Sequence, residues 1–130
     1  MREILFRGKR TNNETWCYGF YCHQTQDKKT TDYIFYSQDN ELCAAEVVPE
    51  TVGQYTGLTD VNDKKIFEGD IVYYDYEEER GVVEWDNDTA RFIITFSTFT
   101  VDFDNVYGNE LEVIGNIYDN PELLGGENNA

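Results

Sequence analysis

Apolar and aromatic residues fall in short runs separated by turn-type clusters, which is the signature of β-strands rather than of long helices. Ile4-Leu5-Phe6 and Trp16-Cys17-Tyr18-Gly19-Phe20-Tyr21 flank the polar cluster Thr11-Asn12-Asn13-Glu14, so the two runs read as a hairpin. Tyr33-Ile34-Phe35-Tyr36 predicts a third strand after a polar loop over 24–32. The stretch 37–46 is ambiguous, because Leu42, Cys43, Ala44 and Ala45 fit either one helical turn or a strand edge.

Pro49 then punctuates the chain. Gly53, Gly57 and Gly69 bracket the runs Gln54-Tyr55-Thr56 and Lys65-Ile66-Phe67, with Asp60-Val61-Asn62-Asp63 as the hairpin turn between them. Asp63 takes a place where glycine would reach positive φ freely, and aspartate does so at some cost. Beyond Gly69-Asp70, strands are predicted over 71–76, 81–85, 90–96 and 112–118. Glu77-Glu78-Glu79-Arg80 and the turn cluster Asp86-Asn87-Asp88-Thr89 connect the first three. Glu122-Leu123-Leu124, just after Pro121, predicts one helical turn, and 125–130 reads as a flexible polar tail. Short strands after residue 64, spaced by about ten residues, predict a small closed β-barrel, whose closure removes exposed edges. The expected organisation is mainly β with little helix: an N-terminal β-hairpin and strand region over 1–48, a barrel with its preceding hairpin over 49–124, and the tail over 125–130.

Composition narrows the function classes. The chain has 130 residues, enough for one ordinary domain or two small ones sharing a core, and its 15% aromatic content supplies much of that core. Its 26 acidic and 10 basic groups give a formal net charge of −16, which opposes direct binding to nucleic-acid phosphates and to anionic membranes. The charge is unevenly placed. Residues 1–65 carry 8 basic and 10 acidic groups, a net of −2, whereas 66–130 carry only Arg80 and Arg91 against 16 acidic groups, a net of −14. The plainest reading is that these carboxylates are solvated faces that keep the protein soluble. No charged start followed by an apolar run marks a signal peptide, and no apolar run approaches the ~20 residues that span a bilayer. Cys17, Cys22 and Cys43 are odd in number and form no C-x-x-C pair, so three reduced thiols and a cytoplasmic location are expected.

The segments Val52-Gly53-Gln54-Tyr55-Thr56-Gly57-Leu58-Thr59-Asp60 and Lys65-Ile66-Phe67-Glu68-Gly69-Asp70-Ile71-Val72 resemble the YopX family, small proteins encoded by bacteriophages and prophages, mainly of Gram-positive bacteria. The resemblance extends to Met1-Arg2-Glu3-Ile4-Leu5-Phe6-Arg7, to Glu84-Trp85 with Arg91-Phe92, and to the closing run from Glu112 through Leu124. It covers nearly the whole chain in order; nothing is carried over for residues 22–47, where such sequences vary most. The resemblance implies a mostly β protein with an SH3-like barrel in its C-terminal part and self-association; it implies no activity, and the cytoplasm expected above is then that of the bacterial host. One departure is Asn62-Asp63, where the family pattern has Asn-Gly, and this bears on the turn geometry alone.

Candidate chemistry is sparse. His23 is the only histidine, and Cys22 beside it with Cys17 nearby makes a metal site conceivable; adjacent residues of a strand point to opposite faces, however, and zinc wants about four convergent ligands. The same geometry counts against a Cys–His nucleophile pair. Glu68 and Asp70 flank Gly69, and Asp86 and Asp88 flank Asn87, but carboxylates in such turns more often accept backbone hydrogen bonds than converge in a cleft. Gly53 and Gly57 lack the Lys-Ser/Thr and following helix of a phosphate loop. Tyr73, Tyr74 and Trp85 could stack on bases, yet they sit among Asp75, Glu77, Glu78, Glu79, Glu84 and Asp86. The basic set Arg2, Arg7, Lys9 and Arg10 is better suited to an acidic neighbouring subunit.

The expectation from sequence is thus a non-enzymatic phage or prophage accessory protein, a self-associating homo-oligomer that binds a host or phage protein, with no catalytic, metal or cofactor residues. The alternative is an acidic DNA mimic that occupies a host DNA-binding protein.

Overall fold

The aromatic run at 16–21 extends much further than its apolar residues. In the computed structural model, which describes residues 3–125, β1 (Phe6–Lys9) is followed by β2 (Trp16–Gln26), β3 (Lys29–Gln38) and β4 (Glu41–Glu46). The first hairpin forms as expected: Asn13 Oδ1 accepts the Thr15 amide at 3.0 Å and its hydroxyl at 2.7 Å, and Glu14 turns the chain at φ 62°. The polar loop expected over 24–32 is instead strand. β2 and β3 pair continuously from Phe20↔Phe35 to Gln26↔Lys29, and the turn is only Asp27-Lys28 at φ 54° and 66°. The ambiguous 37–46 stretch is also strand, with β4 joined to β3 through Asp39-Asn40 at φ 54° and 68°. Two-residue turns with positive φ at both places match the right-handed twist of paired strands.

The chain divides into two compact units, Met1–Tyr55 and Thr56–Ala130. The strand β5 (Gly53–Thr59) starts in the first, where Gly53 and Gln54 pair with Arg7 and Phe6, and finishes in the second beside β6 (Lys65–Phe67). Within unit 1 the strand order is β4-β3-β2-β1-β5, and one face of this sheet is buried. Its core is Cys17, Ile34, Ala45 and Val47, with Phe6, Tyr36 and Val52 packed against it. A 3-10 turn at Pro49–Thr51 follows β4; Thr51 is buried, and its hydroxyl donates to Val48 O at 2.7 Å while accepting the Lys9 amide at 2.9 Å.

Unit 2 holds the second sheet: β7 (Asp70–Tyr74), β8 (Glu79–Asp86), β9 (Arg91–Thr95), β10 (Thr100–Asp102) and β11 (Leu111–Asn116), in the order β10-β9-β8-β7-β11. Both sheets are antiparallel and the protein is mainly β, with α1 (Glu122–Gly125) after the last strand. Alternate residues of these strands, among them Val72, Tyr74, Val83, Ile94 and Leu111, build one core with Ile66. Among the described residues no ladder joins β10 to β11, so the sheet is open where closure was expected. β10 is three residues long, and 3-10 turns at Phe103–Asn105 and Gly108–Glu110 carry the chain across to β11. Among the described residues no helix is long and apolar enough to cross a membrane. The predicted tail beyond 125, like Arg2, lies outside the described residues.

Three polar side chains tie the turns of unit 2. Asp60, 4% exposed, accepts the amides of Asn62 at 2.8 Å and Lys64 at 2.9 Å on one oxygen, and that of Val113 at 2.8 Å on the other. Burial is the largest influence on this carboxyl and pushes its pKa up, but the three backbone donors and nearby Lys64 outweigh it and hold the group below its ordinary value. Asp70 accepts the Phe67 amide at 2.8 Å across the β6–β7 turn, where Gly69 supplies φ 94°. Asn116 Oδ1 accepts the amides of Tyr118 and Asp119, both at 2.9 Å, and turns the chain after β11.

Candidate interaction surface

The residues that carried candidate chemistry do not converge. Cys22 and His23 point to opposite faces of β2, half-buried and exposed respectively. His23 Nδ1 faces the buried carboxylate of Asp32 at 2.5 Å, while the imidazole side chain as a whole is 56% exposed. The Tyr21 hydroxyl also bonds Asp32, and burial together with that carboxylate raises the phenol's pKa. Cys17 is buried in the core of unit 1, and burial pushes its thiol up; Cys22 and Cys43 are free and half-buried. Among the described residues no group of three or more His, Cys, Asp and Glu side chains could hold a metal ion.

One member of each acidic pair shapes a turn. Asp86 accepts the Asp88 amide at 3.1 Å and the Thr89 hydroxyl at 2.8 Å. Asp70 turns inward to Phe67, whereas Glu68 is half-buried. Tyr73 and Tyr74 face opposite sides of β7, Tyr74 in the core stacked on Phe96 at 5.7 Å, and Trp85 meets Phe92 edge-on at 5.0 Å. These three rings are therefore not one stacking platform. The described members of the basic set are divided too. Arg7 is buried with its guanidinium 4.6 Å from the Trp16 ring, on the face shared with Lys9, whereas Arg10 lies over Tyr36 at 5.6 Å on the other face.

A different surface emerges on unit 1. The face of its sheet turned away from the core carries Tyr18, Phe20, Tyr33, Phe35, Leu42 and Ala44. Phe20 stands opposite Phe35, and Phe35 opposite Ala44, so the side chains form one band across β2, β3 and β4. Phe20 is 67% exposed, Leu42 72% and Tyr18 47%. Tyr33 and Phe35 meet edge-to-face at 6.3 Å. Sequence reasoning missed this face because 16–21 is aromatic at both odd and even places; the signal was the spacing of Trp16, Tyr18 and Phe20 against Cys17 and Gly19. Unit 2 has a groove of about 590 Å³ lined by Tyr73, Arg80, Val82, Thr95 and Leu123 among others, in which Arg80 Nη1 donates to Leu123 O at 3.0 Å.

The fold is similar to that in the crystal structure of protein EF1440 from Enterococcus faecalis, with a TM-score of 0.58 and 22% sequence identity over 95% of this chain and 99% of that one. At this identity the likeness speaks for the fold alone. Comparison with curated proteins finds no match. The model of the YopX protein family matches residues 5–125, which takes in both units and every strand described above, and the chain belongs to that family.

Proposed function

We propose that this protein is a non-enzymatic accessory protein of a phage or prophage, acting in the host cytoplasm as a self-associating, protein-binding module. The observation that carries this reading is the aromatic face of unit 1, since contiguous exposed apolar surface marks interaction sites in proteins that otherwise stay dissolved. The engagement of Asp60, Asp70 and Asp86 in turns supports a binding role over a catalytic one. We assign unit 2 to the SH3-like barrels; its meander β7-β8-β9-β10 and the return of β11 to the edge of β7 through a 3-10 turn support that assignment. Light scattering on the sized protein at several concentrations, with affinity capture from lysogenic cells, tests the reading. The expected result is an assembly heavier than the 15.2 kDa chain and a specifically captured protein; a monomer that captures nothing overturns it.

A second reading rests on the net charge of −14 after residue 65: the carboxylates of unit 2 imitate phosphates and occupy a host DNA-binding protein. A captured protein that binds DNA, and that DNA displaces in a salt-sensitive manner, is the expected result. Salt-insensitive capture, or partners without nucleic-acid affinity, disposes of it.

A further inference from the structure

We infer that the aromatic face of unit 1 is covered by the same face of a second copy of the chain, packed sheet on sheet about a two-fold axis. The inference rests on the self-association reading and adds its location, its symmetry and the occupant of the surface. Stable β architecture needs two packed layers, because a sheet that is apolar on a face must bury that face. In unit 1 one face is closed by Val47, Val52 and the neighbouring core residues, and the other leaves the band around Phe20 uncovered.

Size argues for a second copy. The exposed shares of Phe20, Leu42 and Tyr18 amount to roughly 350 Å² of largely apolar surface, and the half-buried Tyr33 and Phe35 bring it to about 400–500 Å². A standard interface buries about 800 Å² per partner, of which roughly 65% is apolar in homodimers, so the band matches the apolar part of one such half. Charge argues the same way. A chain of net charge −16 can meet its own copy only where carboxylates are scarce. Among the described residues, Glu46 is the one carboxylate that β1 to β5 place on this face, and it stands opposite Tyr33 near the edge; Lys9 and Lys29 lie on the same face. The band aligns Phe20, Phe35 and Ala44 across neighbouring strands, and a two-fold rotation lays this row of apolar side chains on its own copy, the isologous contact that aligned sheet packing makes.

Two native thiols make the test. Cys22 pairs with Tyr33 and lies on the proposed interface, whereas Cys43 pairs with Tyr36 and lies on the opposite face, both half-buried. As the concentration of the full chain is raised, alkylation of Cys22 slows with dimer formation while Cys43 keeps its rate. The double substitution Phe20→Glu with Leu42→Glu raises the dimer dissociation constant by about 100-fold or more and restores Cys22 labelling, with the circular dichroism spectrum unchanged. Should that variant misfold, the labelling contrast in the unsubstituted protein decides by itself. An oligomer whose Cys22 reacts at the same rate at every concentration is joined elsewhere, for example along the β4 edge, and overturns the inference while leaving self-association standing. A monomer at all concentrations overturns both.

Discussion

Asp60 offers the sharpest test of the idea that the family's signature residues hold turns rather than perform chemistry. Its carboxylate accepts three backbone amides, those of Asn62, Lys64 and Val113, and so fastens the β5–β6 turn to β11. Hydrogen bonds to a charged acceptor contribute about 1.5–3 kcal/mol each, but Asn62 and Lys64 are exposed and their amides regain water once the acceptor is gone. Val113 is half-buried, and its amide is the costly one to strand. Asp60→Ala is therefore expected to cost about 3–4 kcal/mol. Asp60→Asn keeps the bonds to Asn62 and Lys64 in weaker neutral form but sets an amide NH2 against the Val113 N–H, for about 2–3 kcal/mol. The assay is urea unfolding in a Trp16→Phe background, where Trp85 is the remaining tryptophan and reports unit 2. The pH dependence supplies the refutation. Because the folded carboxyl titrates below its ordinary value of 3.8, its stabilisation is complete above that pH and is lost as pH falls through the folded value. The gap between wild type and Asp60→Asn is thus largest at pH 7 and shrinks in strong acid. A gap that stays constant from pH 7 to pH 2, or an Asp60→Asn protein as stable as wild type at pH 7, refutes the reasoning.

Three further outcomes follow from the same packing. Asp63→Gly, at φ 65°, relieves left-handed strain and is expected to stabilise by about 0.5–1 kcal/mol, a rise of a few degrees in a thermal melt; a loss of stability would mean that the Asp63 side chain contributes more than its backbone costs. Ile94→Ala, at the fully buried position of β9, is expected to cost about 3–4 kcal/mol in urea unfolding, and a cost below 1 kcal/mol would contradict its place in the unit 2 core. Thr51→Val keeps the shape but strands the Lys9 amide, while the Val48 carbonyl keeps the residue 51 amide, for about 1–2 kcal/mol, which hydrogen exchange at Lys9 reports as lost protection.

The β class, the first hairpin, the turn at 60–63 and the strands around 71–74, 81–85 and 91–95 were legible because each has one face in a core, which imprints alternation on the sequence. The outer half of the β2–β3 ribbon was not. Gln24, Thr25 and Gln26 are exposed on both faces, so burial writes no period there, and Asp27-Lys28 lacks the glycine that announces a tight turn. Strand β4 was ambiguous because only Ala45 among its residues is buried. Closure of the second sheet was not legible: whether it closes depends on the length of β10 and the path of two 3-10 turns, neither of which leaves a hydrophobic period. Asp70 was read from its setting as a structural residue, and its inward bond to the Phe67 amide gives the reason.

The segments that carry the family resemblance and the surface that carries the proposed function lie on different residues. Asp60, Gly69, Asp70 and Asn116 belong to those segments, and each shapes a turn of unit 2. None of Tyr18, Phe20, Tyr33, Phe35, Leu42 and Ala44 does; all six lie on β2, β3 and β4. Turn hardware tolerates few side chains, since a buried carboxylate that answers three amides has no isosteric substitute of the same charge and acceptor pattern. An exposed sheet face obeys only the weaker demand of fitting its occupant, so its residues can change with that occupant at little cost to the fold. A sequence signature built on the first kind of residue identifies the scaffold and is silent about the partner. For this chain the proposed partner surface is the outer face of β2, β3 and β4, where a substitution such as Phe20→Glu tests the proposed assembly while the turns at Asp60 and Asp70 stay intact.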